Sequence, residues 1–366
     1  MTRGGKKPTG VRAPRLNDLL DADAMGVVQI AVGGLHCVAL THDSKILTWG
    51  VNDDGALGRD TTWEPNSDCE DEDDIVLNPR ESSPTAIPAE LFSSYADHIA
   101  QVAATDSASF ALTADGFVYG WGTFKVSAVT VFPFLRLYVQ GNEGTIGFSP
   151  IGVLKGAKSQ DRPTLIPHLK NITTIAAGSN HVLALNMSGE VFAWGGGQQS
   201  QLGRRRYSHR FENPGPSMIT NLTPSPIFLP GKKIIYISCG SYHSFAIDDL
   251  GRVYAWGLNN FGQTGVSAGA GEDGAVIQEP TVVQNLEPYR IQGISGGNHH
   301  SIANTKDGTV LVWGRCDDSQ MGIQLDSLPR DNLFFDERNR PRILSVPTRV
   351  PGKPNAFDQY ALTKIF

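Results

Sequence analysis

The chain has 366 residues, a net charge of −6 and 40 glycines, and its acidic balance excludes a globally basic nucleic-acid binder while leaving room for local patches. No apolar run reaches the eighteen or so residues of a membrane helix, and the first residues lack the apolar centre of a signal peptide. Cys37, Cys69, Cys239 and Cys316 show no C-x-x-C spacing, which reads as reduced thiols in an intracellular protein and not as a zinc site.

In chain order, residues 1–15 come first, with five Lys/Arg and no acid. Such a basic tail is either simply disordered or suited to nuclear import and DNA phosphates. From about residue 16 to residue 350 the chain repeats itself. "GGLHCVALTHDSKILTWG" is followed by a weaker copy, "TDSASFALTADGFVYGWG", and then by "GSNHVLALNMSGEVFAWG", "GSYHSFAIDDLGRVYAWG" and "GNHHSIANTKDGTVLVWG". Each copy closes on Trp-Gly, at Trp49, Trp121, Trp194, Trp256 and Trp313. Thirteen positions earlier stand His36, Ala108, His181, His243 and His300. A fixed internal period signals a repeat architecture. What recurs in every copy reads as scaffold; what breaks the period is where function is sought.

One copy predicts a hairpin. "HVLAL" and "EVFAW" alternate apolar residues around "NMSG", and "SFAI" and "RVYAW" do so around "DDLG". The glycine at the tip supplies the positive φ of a tight turn. After Trp-Gly comes a second turn, "VNDDGALG", "GGQQSQLG", "LNNFGQTG" or "RCDDSQMG", and then a linking strand, as in "SPTAIPAEL" and "EPTVVQNL". Four short strands per unit make the blade of a β-propeller, an all-β fold with five recognisable repeats here. The indoles are expected between blades, each burying roughly 150–250 Å². The recurring histidines are expected to hydrogen-bond backbone across neighbouring blades. Spread around a ring, they stand too far apart to share a metal ion.

Several segments break the period. The run Asp68–Asp74, "DCEDEDD", reads as a flexible acidic loop without an assigned role. Val126–Gln140, "VSAVTVFPFLRLYVQ", sits where the Trp121-to-Trp194 spacing widens to 73 residues, against 62 and 57 for the next two. Gly141–Phe148 is a polar, glycine-flanked hairpin. Just before the recurring histidine, Leu35, Asn180, Tyr242 and His299 vary freely, a position expected at a loop mouth near the central axis. "GRRRYSHR" puts Arg204, Arg205, Arg206 and Arg210 in one loop, suited to carboxylates or phosphates, or equally to plain solvation. No nucleophile–base pair, P-loop or metal-ligand spacing is present, so neither covalent catalysis nor a cofactor or metal is expected.

The pattern G-x-x-H-x-x-x-L…G-x-V-x-x-W-G-x-N-x-x-G-Q-L-G resembles the regulator of chromosome condensation family over about residues 15–350. "WGVNDDGALGRDT", "GNEGTIGF", "AWGGGQQSQLGR" and "WGLNNFGQTGVS" are similar to its fungal members, guanine-nucleotide exchange factors for the small GTPase Ran. The resemblance implies a seven-bladed propeller, monomeric, nuclear and chromatin-associated, without membrane contact. One face would engage Ran; the other face or the N-terminal tail would contact chromatin. Asn142, Glu143, Gly144, Thr145 and Ile146 would fall on a wedge that pushes against the nucleotide site of Ran. Asp106 matches an acidic Ran-facing position; Asn180 stands where the family has an acid and His299 where it has a histidine, both positions important for exchange. Asn180 keeps the size and acceptor oxygen of an aspartate but loses its charge. Arg204, Arg205, Arg206 and Arg210 would approach the acidic patch of the histones, and the basic tail would approach DNA.

The chain departs from the family pattern in three places. A glycine-rich half-repeat is expected before "APRL", further repeats are expected where 351–366 reads "PGKPNAFDQYALTKIF", and "WGTFK" should run directly into "GNEGTIGF". The ring is therefore expected to be incomplete. The inserted Val126–Gln140 spans a whole number of codons, opens on an amino acid whose codons begin GT and closes on one whose codon can be CAG. That fits a retained intron read in frame; a genuine apolar insertion is the other reading. The alternative function is an interaction platform without exchange activity. Related repeats in ubiquitin ligases need a following catalytic domain, and those in the plant ultraviolet-B photoreceptor need a tryptophan cluster, whereas here only Trp63 lies outside the repeat set.

Overall fold

Apolar alternation around each tight turn yields an antiparallel sheet per repeat. The structure, a computed structural model, describes residues 18–20, 25–64, 77–92, 98–125, 145–146, 160–204, 221–229 and 231–351. Blade one pairs β1 (Val27–Val32), β2 (His36–Thr41), β3 (Ile46–Gly50) and β4 (Thr85–Ala86) in that order. Blade two contains β5 (Ile99–Ala104), β6 (Ala108–Thr113) and β7 (Val118–Gly122). A separate two-stranded ladder, β8 (Phe124–Lys125) with β9 (Thr145–Ile146), precedes its outermost strand, β10 (Gln160–Leu165). Blade three is β11 (Ile172–Ala177), β12 (His181–Asn186), β13 (Val191–Gly195) and β14 (Ser225–Pro226). Blade four is β15 (Ile234–Cys239), β16 (His243–Asp248), β17 (Val253–Leu258) and β18 (Val276–Val282). Blade five has β19 (Ile291–Gly296), β20 (His300–Thr305), β21 (Val310–Arg315), β22 (Leu333–Phe335) and β23 (Pro341–Arg349). Here β22 adds a fifth strand outside β23.

The thirteen-residue spacing is a consequence of register. In every blade the second and third strands pair so that the histidine position faces the glycine of Trp-Gly, as His181 faces Gly195 and His243 faces Gly257. That glycine has φ between +91° and +108° in all five blades. A Cβ at Gly195 would stand 2.5 Å from the Asn180 carbonyl oxygen, and the other four meet the equivalent oxygen. Both facts exclude a side chain there.

The first strands of consecutive sheets lie against one another, which makes them the innermost. The blades then stack through a shared polar latch. His36, His181 and His243 place Nε2 2.9, 2.8 and 3.0 Å from the hydroxyls of Ser109, Ser244 and Ser301 in the next blade. Each hydroxyl donates to a loop carbonyl, of Ala56, Gln201 or Gln263, at 2.8–3.0 Å. The same carbonyl accepts the indole N–H of Trp121, Trp256 or Trp313. Because the serine proton goes to the carbonyl, histidine must donate from Nε2. For His181 and His243 the expected histidine-to-backbone bond is thus corrected, since a serine hydroxyl stands between imidazole and carbonyl; His36 makes the serine link and also meets the Ala108 backbone of the next blade. Burial holds His181 and His243 down to about pKa 3 and His36 to about 4, the latter offset in part by the Ala108 backbone. All three rings stay neutral.

Trp121, Trp194, Trp256 and Trp313 are wholly buried at the four interfaces, whereas Trp49, in the first blade, is only partly covered. Ile30 on β1 is 48% exposed, yet its counterparts Val102, Ile175 and Ile294 on later inner strands are 2%, 2% and 0% exposed. Among the described residues no blade covers that side of blade one. The five sheets form an open array, an incomplete propeller.

Candidate functional site

The turns joining the first and second strands of each blade open at one end of the array, together with the connections that leave the third strands. An open chain of main-chain hydrogen bonds ties these inner turns together. Gly34 N–H donates to Asp106, Asp106 to Ser179, Ser179 to Ser241 and Ser241 to Gly297, at 2.8–3.1 Å. The chain of bonds holds the inner turns side by side at that end of the array. It gathers the variable residues that precede the histidine position, although the chain separates them by more than fifty residues per step.

Asp106 is exposed on its turn, and Asn180 and His299 are half-buried on theirs. Asn180 and His299 are further anchored by their carbonyls, which accept the N–H of Gly196 at 2.5 Å and of Arg315 at 2.8 Å. Tyr242 lies on the turn between them, half-buried. Its hydroxyl is pushed to higher pKa by burial and by the charge of Asp106, which places the carboxylate and the phenol within electrostatic reach. The His299 imidazole is pulled down in pKa by burial first and by the Arg315 guanidinium second. A neutral ring, a carboxylate, an amide and a phenol thus share one mouth. They can exchange hydrogen bonds with a polar partner surface, but none is placed to act as a nucleophile.

Thr145 and Ile146 of the anticipated wedge form β9, where Ile146 faces Phe124 and Lys125 faces Thr145. Asn142, Glu143 and Gly144 lie outside the described residues, as do the insertion 126–140, the acidic run, both termini, and Arg205, Arg206 and Arg210. Arg204 is described. Its guanidinium turns back into blade three and bonds the carbonyls of Ala193 and, at 3.5 Å, Thr223. Burial lowers its pKa to about 10. Arg59, at the same place in blade one, does likewise, bonding the hydroxyl and carbonyl of Thr48 at 3.0 and 2.8 Å. The two equivalent arginines cap the third strands of their blades, which gives Arg204 a structural role.

The motif reading passes over Phe261, which packs its ring 4.9 Å from that of His299, centroid to centroid. A signal was present: at this place the other turns carry Asp54, Gln199 and Asp318, so Phe261 alone is aromatic.

The sequence matches the RCC1-like domain over residues 3–362. Protein pim1 of Schizosaccharomyces pombe is 40% identical over 349 residues, covering 95% of this chain and 58% of that protein. The guanine nucleotide exchange factor SRM1 of Saccharomyces cerevisiae is 37% identical over 355 residues, covering 94% of this chain and 67% of that protein. Prp20p from Saccharomyces cerevisiae, whose crystal structure was described with its binding to Gsp1p and histones, superposes with a TM-score of 0.75 at 37% identity. That superposition covers 93% of this chain and 68% of Prp20p. The chain therefore spans from under three fifths to about two thirds of the length of these relatives.

Proposed function

The chain belongs to the RCC1-like family, and on that premise we propose that it is a guanine-nucleotide exchange factor for a Ran-type small GTPase. The observation that supports this reading is the chain of hydrogen-bonded inner turns, which carry Asp106, Asn180 and His299 from blades two, three and five. Exchange of this kind needs no bond chemistry. The factor binds the empty GTPase more tightly than the nucleotide-bound form, and reciprocal linkage then lowers nucleotide affinity by the same factor. Asp106, Asn180 and His299 would supply polar contacts, while the hairpin Asn142–Ile146 would press toward the nucleotide site. Nuclear location and chromatin association belong to the same proposal. Arg205, Arg206 and Arg210 would meet the histone acidic patch, and the basic residues of the first fifteen would meet DNA.

A second reading, an interaction platform without exchange activity, draws on two observations. Asn180 lacks the charge that the family pattern implies, and the outer side of blade one is open. Release of fluorescent GDP from Ran discriminates between the two. The exchange reading expects acceleration that saturates with Ran concentration; binding to Ran without acceleration, by a folded full chain, overturns it.

A further inference from the structure

The interface of blades four and five carries an arrangement that no other interface repeats among the described residues. Phe261 sits at the tip of a turn whose polar residues are spent internally. Its own N–H donates to the Gln263 side chain at 2.8 Å, the Asn259 amide donates to the carbonyls of Val266 and Ala268 at 2.9 Å, and Asn259 and Gln263 are wholly buried. The turn is therefore a rigid arm reaching from blade four over blade five. Its aromatic ring lies against His299 at 4.9 Å with the planes tilted by 44°. Two cations of blade five rest on the same ring, with the Cζ atoms of Arg342 and Arg315 at 5.0 and 5.7 Å from its centroid. Arg315 is fixed in turn by Asp317 at 2.6 Å and Asp318 at 3.1 Å. Such contacts hold an aromatic plane firmly without any hydrogen bond to it.

The held imidazole has one polarity. Its Nδ1 is buried and has no hydrogen-bond partner among the described residues. A proton on Nδ1 would be a buried donor without an acceptor, so the neutral ring carries its proton on Nε2.

We infer that Phe261 is a positioning residue for His299, clamping the imidazole so that it presents an Nε2–H donor at the mouth to an acceptor oxygen on the GTPase. This rests on the exchange reading of His299. Arg315 and Arg342 lock the clamp from the other blade, and an Nε2–H donor takes a carbonyl or carboxylate oxygen and not another donor group.

The test uses the full chain with Phe261→Ala, Phe261→Leu, Phe261→Tyr and His299→Ala, and the double variant Phe261→Ala/His299→Ala. Two readouts are taken: GDP release from Ran, resolved into kcat and KM, and ring ¹⁵N chemical shifts of His299. Phe261→Ala and Phe261→Leu are expected to lower kcat by about ten-fold with KM little changed, as for a misplaced reacting group. Phe261→Tyr, which keeps the ring, should restore the rate to within about two-fold. In the His299→Ala background the Phe261 change should do nothing further. The nitrogen shifts should report the Nε2–H tautomer in the unsubstituted protein and in Phe261→Tyr, and a mixture of tautomers in Phe261→Ala. Equal losses in both backgrounds, or an unaltered His299 spectrum in Phe261→Ala, overturn the inference. If His299→Ala exchanges at the full rate, the exchange role of His299 fails, while the nitrogen spectrum still decides whether Phe261 holds the ring.

Discussion

The interface between blades three and four and the interface between blades two and three solve the same packing problem with opposite chemistry. At the first, His181, Ser244, the Gln201 carbonyl and Trp256 form a closed polar latch. At the second, Ala108 and Val182 stand where histidine and serine stand elsewhere, and Phe110 packs on Phe124 and Trp194 at 6.0 and 5.9 Å. The Trp194 indole N–H has no partner among the described residues. The substitutions come as a set. Where a histidine is present, the third residue before it is glycine, because a Cβ at Gly178 or Gly240 would fall 2.3 or 2.1 Å from the imidazole. Where Ala108 removes the ring, Thr105 takes the glycine's place and its hydroxyl accepts the Ala108 N–H at 3.0 Å. Latched and apolar interfaces are therefore two self-consistent states. A single exchanged residue would strand a buried polar group.

Acid should break the contrast most, because it acts on three latches together and spares the apolar interface. His36, His181 and His243 have folded pKa values below the 6.5 of the unfolded chain, so the unfolded state binds more protons as pH falls. Their stabilising contribution is complete above about pH 6.5 and is lost progressively as pH falls toward 4 for His36 and 3 for His181 and His243. Urea midpoints across that range should fall with decreasing pH, and a His36→Gln/His181→Gln/His243→Gln variant should show a flatter slope; parallel slopes would count against the latch. Next in size, Trp256→Ala should cost about 3–5 kcal/mol by denaturant unfolding, since it deletes a fully buried indole and opens a cavity. Ser244→Ala should cost less, about 1–3 kcal/mol, by leaving the His181 donor buried without an acceptor. If Ser244→Ala is neutral in the same assay, the hydroxyl is not the connecting element.

A gain of stability would sharpen the comparison from the apolar side. The connection leaving blade two runs through β8 and β9, whose register joins Lys125 to Thr145. Deleting residues 126–140 leaves Gly141–Gly144 between the paired strands, the length of a short hairpin loop. Shortening a nineteen-residue loop to four should stabilise by about 1.4 kcal/mol from closure entropy. The smallest predicted effect is thus a rise in midpoint, and a fall would mark the insertion as part of the fold.

Much of the fold was legible because a blade is a local object. Alternation, tip glycines and the thirteen-residue spacing are all consequences of one hairpin register, and they act within twenty residues of chain. Asn180 and His299 stand among the variable residues before the histidine position, and it was the family resemblance that singled them out together with Asp106. What His181 bonds, where Arg204 points and what Phe261 touches depend on groups in another strand or another blade. The guanidinium of Arg204 found a strand carbonyl of its own blade, because a third strand left open at its end supplies acceptors that a loop sequence does not reveal. Phe261 met His299 only because stacking sets the arm of one blade over the next, a distance that the covalent chain does not measure.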